Sequence, residues 1–235
     1  MNVAYRSFQN SGFQLGMAHV WSLSKGRFGR VSLALLLIWT ALFSILSKQT
    51  GLSDATTQAL VNPVFGLAVP IALLLYARYL GAAGLNTVTA NTVLLGVNPS
   101  GFASGALVAA AGCAGVSCAL AALVSVALVR NGADPALARD LITSGGIGFL
   151  GGAAYASILV ALCTTNQGWW IFSFFLADWL LGSGSSAWTG LWPRAHLANL
   201  LGADVALPHS FAISAGCLWG FCALGLAIFA IRARS

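Results

Sequence analysis

The sequence predicts an all-α polytopic membrane protein with six transmembrane helices. Three observations carry that class. Of 235 residues 58% are apolar and only 7% are charged, where a soluble domain has about a quarter charged. Several apolar runs approach or exceed the ~20 residues that cross a bilayer as a helix. The few basic residues also fall unevenly between the two sides once six crossings are drawn. In full, the expected architecture is an N-terminal amphipathic interfacial helix, six spans, and a re-entrant hairpin between spans five and six. Residues 1–30 form a cytoplasmic N-terminal segment and residues 31–235 the six-span domain.

Residues 1–30 are polar and basic, with Arg6, Lys25, Arg27 and Arg30. Phe13, Gly16, Met17, Val20, Trp21, Ser24 and Phe28 recur at helical spacing, which predicts a helix lying along the membrane surface; the alternative is a loosely ordered tail, since the glycines weaken a helix. The first apolar run begins at Val31 with no small-x-small cleavage site after it, so the first span, 31–47, is expected to remain in the protein. A polar link carrying Gly51 and Asp54 leads to span two, 62–80, where Pro70 should kink the helix. Arg78 at its end can snorkel to headgroups.

Between spans two and three lies a stretch too polar for lipid, residues 76–105. Leu85, Val88, Thr92 and Leu95 share helical spacing there, and Asn86, Thr87 and Asn91 fall on other faces. Asn98-Pro99-Ser100-Gly101 reads as a turn that separates this short helix from the next. Such a helix either rests at the lipid interface or is a knob offered to a soluble partner.

Span three, 101–129, is long and rich in Ala and Gly, with Gly101/Gly105 and Ala111/Gly115 as small-xxx-small pairs. Span four, 141–163, carries Gly145, Gly148 and Gly152 as a close-packing stripe. The next apolar run, 169–181, covers only about 20 Å at 1.5 Å per residue, short of the ~30 Å hydrocarbon core. Gly182-Ser183-Gly184-Ser185-Ser186 then interrupts it. Non-helical backbone at that depth is tolerable only beside protein or water. A re-entrant hairpin over 169–207 is the result, with Ser183 and Ser185 at its break and Trp188 and Trp192 as interfacial anchors. Asp178, a carboxylate inside an apolar segment, either faces the pathway or marks an early interface. Span six is 210–231, with Gly216/Gly220 as a packing pair.

Six crossings put Arg6, Lys25, Arg27, Arg30, Arg78, Arg232 and Arg234 on one face and Lys48, Arg130, Arg139 and Arg194 on the other. The positive-inside bias therefore places both termini in the cytoplasm, and the bacterial inner membrane is the expected location. No run of Lys or Arg interleaves with aromatics, which argues against a nucleic-acid partner. The cysteines of the pairs Cys113/Cys118 and Cys217/Cys222 each stand five apart, on different faces of a helix, so neither pair can clamp a metal.

This succession resembles the permease subunits of type-2 ATP-binding-cassette exporters. The resemblance is one of layout and covers nearly the whole chain: an amphipathic segment before span one, a helix between spans two and three, and a broken hairpin between spans five and six. It implies that Leu85, Asn86, Val88, Asn91, Thr92 and Leu95 dock onto a separate ATPase subunit. It also implies that Asp178, Ser183, Ser185, Trp188 and Trp192 line the pathway or its hairpin, and that the chain pairs with a second copy or a homologous permease. ATP and magnesium would belong to the partner. The family often has charged residues in its coupling helix, whereas here none stands between Arg78 and Arg130.

A P-loop needs Gly-Lys-Ser/Thr, and the only lysines, Lys25 and Lys48, precede Gly and Gln. This chain is thus expected to hydrolyse no nucleotide through such a loop and to hold no cofactor or metal. The alternative readings are an intramembrane hydrolase or transpeptidase and a non-catalytic assembly factor. Neither Ser104, with Phe102 where a glycine belongs, nor Ser185, followed by Ser186, fits a Gly-x-Ser-Gly nucleophile site. A transpeptidase would lean on Cys113 and unpaired arginines. His196 and His209 read as interface residues at membrane ends.

Overall fold

The computed structural model describes residues 2–49, 55–82, 96–130, 136–163, 169–183, 187–203 and 209–232. Every regular element among them is a helix. In order these are α1 (Asn2–Ser24), α2 (Arg27–Gln49), α3 (Ala55–Ala59), a π-helical segment (Leu60–Ala68), α4 (Val69–Ala82), α5 (Pro99–Val129), α6 (Leu137–Cys163), α7 (Trp169–Leu181), a 3₁₀ turn (Ala187–Leu191), α8 (Pro193–Leu200) and α9 (Phe211–Arg232). Five helical stretches are long and apolar enough to cross a membrane: Arg27–Gln49, Thr56–Gly81, Pro99–Val129, Leu137–Cys163 and Phe211–Ile231. The chain is thus a membrane-embedded helical protein.

The centre of the bundle is the antiparallel pair α5 and α6. Ala- and Gly-rich faces let the two backbones approach closely, as helices do in lipid. A Cβ at Gly148 would lie 2.8 Å from the Cys118 carbonyl oxygen, and one at Gly152 would lie 2.8 Å from that of Ala114. Gly115 meets the Phe149 ring in the same way. The glycine stripe expected on span four is therefore the seam itself.

Around this pair the other helices take their directions. The end of α2 lies beside the end of α5, where Ser44 donates to Ser125 at 2.8 Å and the Lys48 ammonium reaches the Leu128 carbonyl at 3.2 Å. At the same end Arg130 pairs with Asp140 at 2.6 Å. At the opposite end α5 begins on a well-formed cap. The Asn98 side chain accepts the Ser100 N–H at 3.0 Å, and Pro99 stands where its missing N–H is harmless. The residues expected to form a free turn thus start the next helix.

Two expectations are refined. The second long helix is irregular, but the distortion precedes Pro70. Residues Leu60–Ala68 wind as a π-helix with Pro63 inside, and the Val69 N–H reaches the Val64 carbonyl five residues back. Pro70 offers no N–H and its ring crowds the carbonyl four residues before it, so widening the preceding turns relieves both defects. The N-terminal helix also does more than meet lipid. Gly12, Gly16 and Val20 are buried, while Met17 and Trp21 are exposed. A Cβ at Gly12 would lie 3.1 Å from the Asn98 carbonyl oxygen, and one at Gly16 would collide with that of Phe102. Helix α1 therefore runs beside the first turns of α5 in the same direction. Gly105, from one of the small-residue pairs, receives Phe13.

The pair Gly216/Gly220, expected to pack, meets nothing within 4 Å of a Cβ at either position. Helix α9 keeps much of its surface outward, with Trp219 and Ile231 exposed. It runs in the same direction as α6: Leu197 of α8 sits on Gly151, Ser214 bonds to α8, and Gly225 lies on Ser157. Because α6 and α9 are parallel, the chain between them must return from one end of the bundle to the other. Helix α7, with 13 residues, makes only part of that journey.

These contacts give a direct expectation. Gly148→Leu or Gly152→Leu should force α5 and α6 apart and cost about 1–3 kcal/mol, as overpacking does, whereas Gly216→Ala should be silent. Thermal aggregation of the detergent-solubilised variants would check it; equal melting of Gly152→Leu and Gly216→Ala would refute the seam.

Candidate functional site

The shortest apolar helix carries the most unusual residue. Asp178 lies near the end of α7, is 2% exposed and is enclosed by protein. A buried carboxylate needs donors, and two are present. The Tyr155 hydroxyl of α6 donates to Oδ2 at 2.5 Å, and the Arg194 backbone N–H donates to Oδ1 at 3.2 Å.

The second bond explains how α8 begins. Pro193 fills its first turn, and Trp192, at the cap position, makes no side-chain cap bond. The acceptor that a capping Asp or Ser would supply comes instead from Asp178 on a neighbouring helix. Arg194 ties the two helices together a second time, its Nη1 reaching the Trp179 carbonyl at 3.4 Å. Its guanidinium lies over Gly66 in the π-helical segment, where a Cβ would be 2.9 Å from Nη2. Helices α6, α7 and α8 and the π-helical segment thus converge on one carboxylate and one arginine.

A second polar network begins two residues on. His196 is 2% exposed. Its Nε2 is 2.8 Å from the Gly190 carbonyl, which can only accept, so Nε2 carries the proton and Nδ1 is the acceptor. Ser214 of α9 lies 3.3 Å from that Nδ1 and donates to it. The Asn199 amide donates to the Ser214 hydroxyl at 2.9 Å and to the His209 carbonyl at 2.7 Å. The His196 and His209 rings lie 5.5 Å apart between centroids. Every donor in this chain has a direction, and the network fastens α8 to α9. Helix α8 then ends on Gly202 at φ +80°, where the Ala203 and Gly202 N–H groups turn back to Ala198 and Asn199.

Of the site residues expected from sequence, Asp178 is at the centre. Ser183 is exposed, and its hydroxyl donates to the Trp179 carbonyl at 2.9 Å, closing the end of α7. Trp188 and Trp192, expected together as interfacial anchors, differ. Trp188 is exposed, whereas Trp192 is half-buried with its ring 5.9 Å from Phe174. Ser185 and the six docking residues Leu85, Asn86, Val88, Asn91, Thr92 and Leu95 lie outside the described residues. His196, expected as an interface residue at a membrane end, is enclosed by protein, between Ser214 and the Gly190 carbonyl. Tyr155, Asn199 and Ser214 had no sequence signature of their own. The one available signal was that an intramembrane carboxylate requires a partner.

No known protein family, curated protein or solved structure matches this chain.

One outcome follows from the geometry. Asp178→Asn keeps an acceptor for Arg194 and lets the Tyr155 hydroxyl turn to accept, so its cost should be small. Asp178→Leu leaves two donors unpaired, at about 1–3 kcal/mol each; melting of the purified variants would rank them, and equal stability would refute the assignment.

Proposed function

We propose that this chain is the permease subunit of an ATP-binding-cassette transporter of the exporter type, without chemistry of its own, energised by a separate ATPase subunit. The observation that carries the reading is the return between two parallel long helices, α6 and α9. A half-length helix and a folded-back segment make that return around a buried polar cluster. On this reading the return is the sixth crossing, which puts the start of α1 and the end of α9 at one end of the bundle. Read so, the layout agrees with the one the resemblance implies, with a broken hairpin before the last span. The early helix α1 and the cap of α5 lie at that same end, which the charge bias assigns to the cytoplasm. Residues 83–95 connect to it, where an ATPase would dock. The chain would work as a pair, with a second copy or a homologous permease, in the bacterial inner membrane.

A hydrolase reading draws on one observation, the Ser214 hydroxyl bonded to the His196 imidazole. A nucleophile must reach its substrate, and Ser214 is fully buried. Its hydroxyl also accepts the Asn199 amide while it donates to His196. The pair acts as a cross-link between α8 and α9.

The test is retrieval of the partner. Affinity purification from native membranes should bring down an ATP-binding-cassette ATPase, and Leu85→Asp/Val88→Asp should release it while this chain remains inserted. No ATPase in the wild-type sample, or an intact and active complex with the double variant, would reject the reading.

A further inference from the structure

A cavity of about 970 Å³ lies between α1, α2, α4 and α5 and shares no residue with the polar cluster. Its walls are apolar, from Leu33, Leu36, Leu73, Val108, Ala109 and Val116. The size is at the upper end of cavities that hold small molecules, about 300–1,000 Å³. Its charged lining residues are Lys25 and Arg30, both cationic, and none of the lining residues is acidic. Both sit at the junction where α1 gives way to α2, and both are exposed. The Lys25 ammonium lies over the Trp21 ring at 4.7 Å. Beside them Ser24 and Tyr76 share a hydrogen bond of 2.7 Å, a neutral polar pair at the charged part of the lining.

The edge of the cavity decides what can enter. Trp21, Val108 and Val116 line it and are about half exposed on the outer surface of the bundle. In a membrane-embedded protein that surface meets lipid, so the occupant arrives from the bilayer. An apolar chamber whose lining carries two cations and no acid selects a molecule with an apolar tail and an anionic head. Basic pockets between membrane helices select anionic headgroups by the same electrostatics.

We propose that this cavity is a binding site for one anionic phospholipid of the surrounding membrane, with an acyl chain between α2 and α5 and the phosphate held by Lys25 and Arg30. The site ties the junction of α1 and α2 to the lipid composition of its own leaflet. It requires only that the chain is embedded in a membrane, so failure to retrieve an ATPase would leave it standing.

Gly112 allows a clean test, because it lines the cavity and a Cβ there meets nothing within 4 Å. Gly112→Phe should therefore fill the chamber without displacing a helix. Purified full-length protein in a neutral detergent would be titrated with phosphatidylglycerol or phosphatidylcholine of identical acyl chains, and bound lipid counted by native mass spectrometry. Melting without lipid would confirm that each variant is folded; Val116→Trp, at an exposed wall position, replaces any that is not. The wild type should hold one phosphatidylglycerol in preference to phosphatidylcholine. Lys25→Gln/Arg30→Gln should weaken it about thirtyfold, near fivefold for each cation, and Gly112→Phe should abolish it. Equal binding of the two lipids, or unchanged binding in the cation variant, would overturn the proposal. So would retention by both folded cavity-filling variants, or displacement by inorganic phosphate alone.

Discussion

The close approach of α5 and α6 sets the geometry of everything around it. In lipid there is little hydrophobic gain in pressing two apolar helices together, so association depends on dispersion contacts between surfaces that fit. Gly148 and Gly152 remove the side chains that would hold the backbones apart. The pair then offers two outer flanks. The flank on α5 takes α1 and α2, and the flank on α6 takes α4 and the segment from α7 to α9. Their bonds are few and specific, such as Ser44 to Ser125 and the Cys163 thiol to the Ala77 carbonyl at 3.0 Å.

The polar cluster answers a different demand. A chain that reverses inside the bundle exposes backbone groups that a continuous helix would satisfy. Here the start of α8 is satisfied by a carboxylate from α7, and its far end by Gly202. The histidine between them is held by a carbonyl and a hydroxyl. Buried ionisable groups need partners, and each of these makes a bond that a helix end or a neighbouring element would otherwise lack. The same residues thus tie α6, α7, α8 and α9 together.

Long-range apolar patterning made the helices legible in the sequence. The runs at 101–129, 141–163, 169–181 and 210–231 coincide with α5, α6, α7 and α9 to within a few residues, because length and hydropathy alone decide whether a segment is membrane helix. The glycine stripe on span four was equally plain. Less visible were features that depend on what lies opposite. Nothing local distinguishes Gly148, which packs, from Gly216, which does not. Tyr155 and Ser214 look like ordinary members of apolar spans until Asp178 and His196 are placed beside them. The displaced distortion around Pro63 and Pro70 shows the same limit, since a proline announces a defect but neighbouring turns choose where to absorb it.

The contact between α1 and α5 has a mechanical consequence. Two helices separated by side chains can slide, because rotamers adjust as one surface passes another. Where Gly12 and Gly16 bring one backbone onto the other, at the Asn98 and Phe102 carbonyls, no such cushion exists and the two move as one rod. A push delivered to the start of α5 is therefore carried into α1 undamped. The junction at Lys25 and Gly26 is the first place where it can turn, so it acts as the elbow through which motion at one end of the bundle is passed to the first long helix.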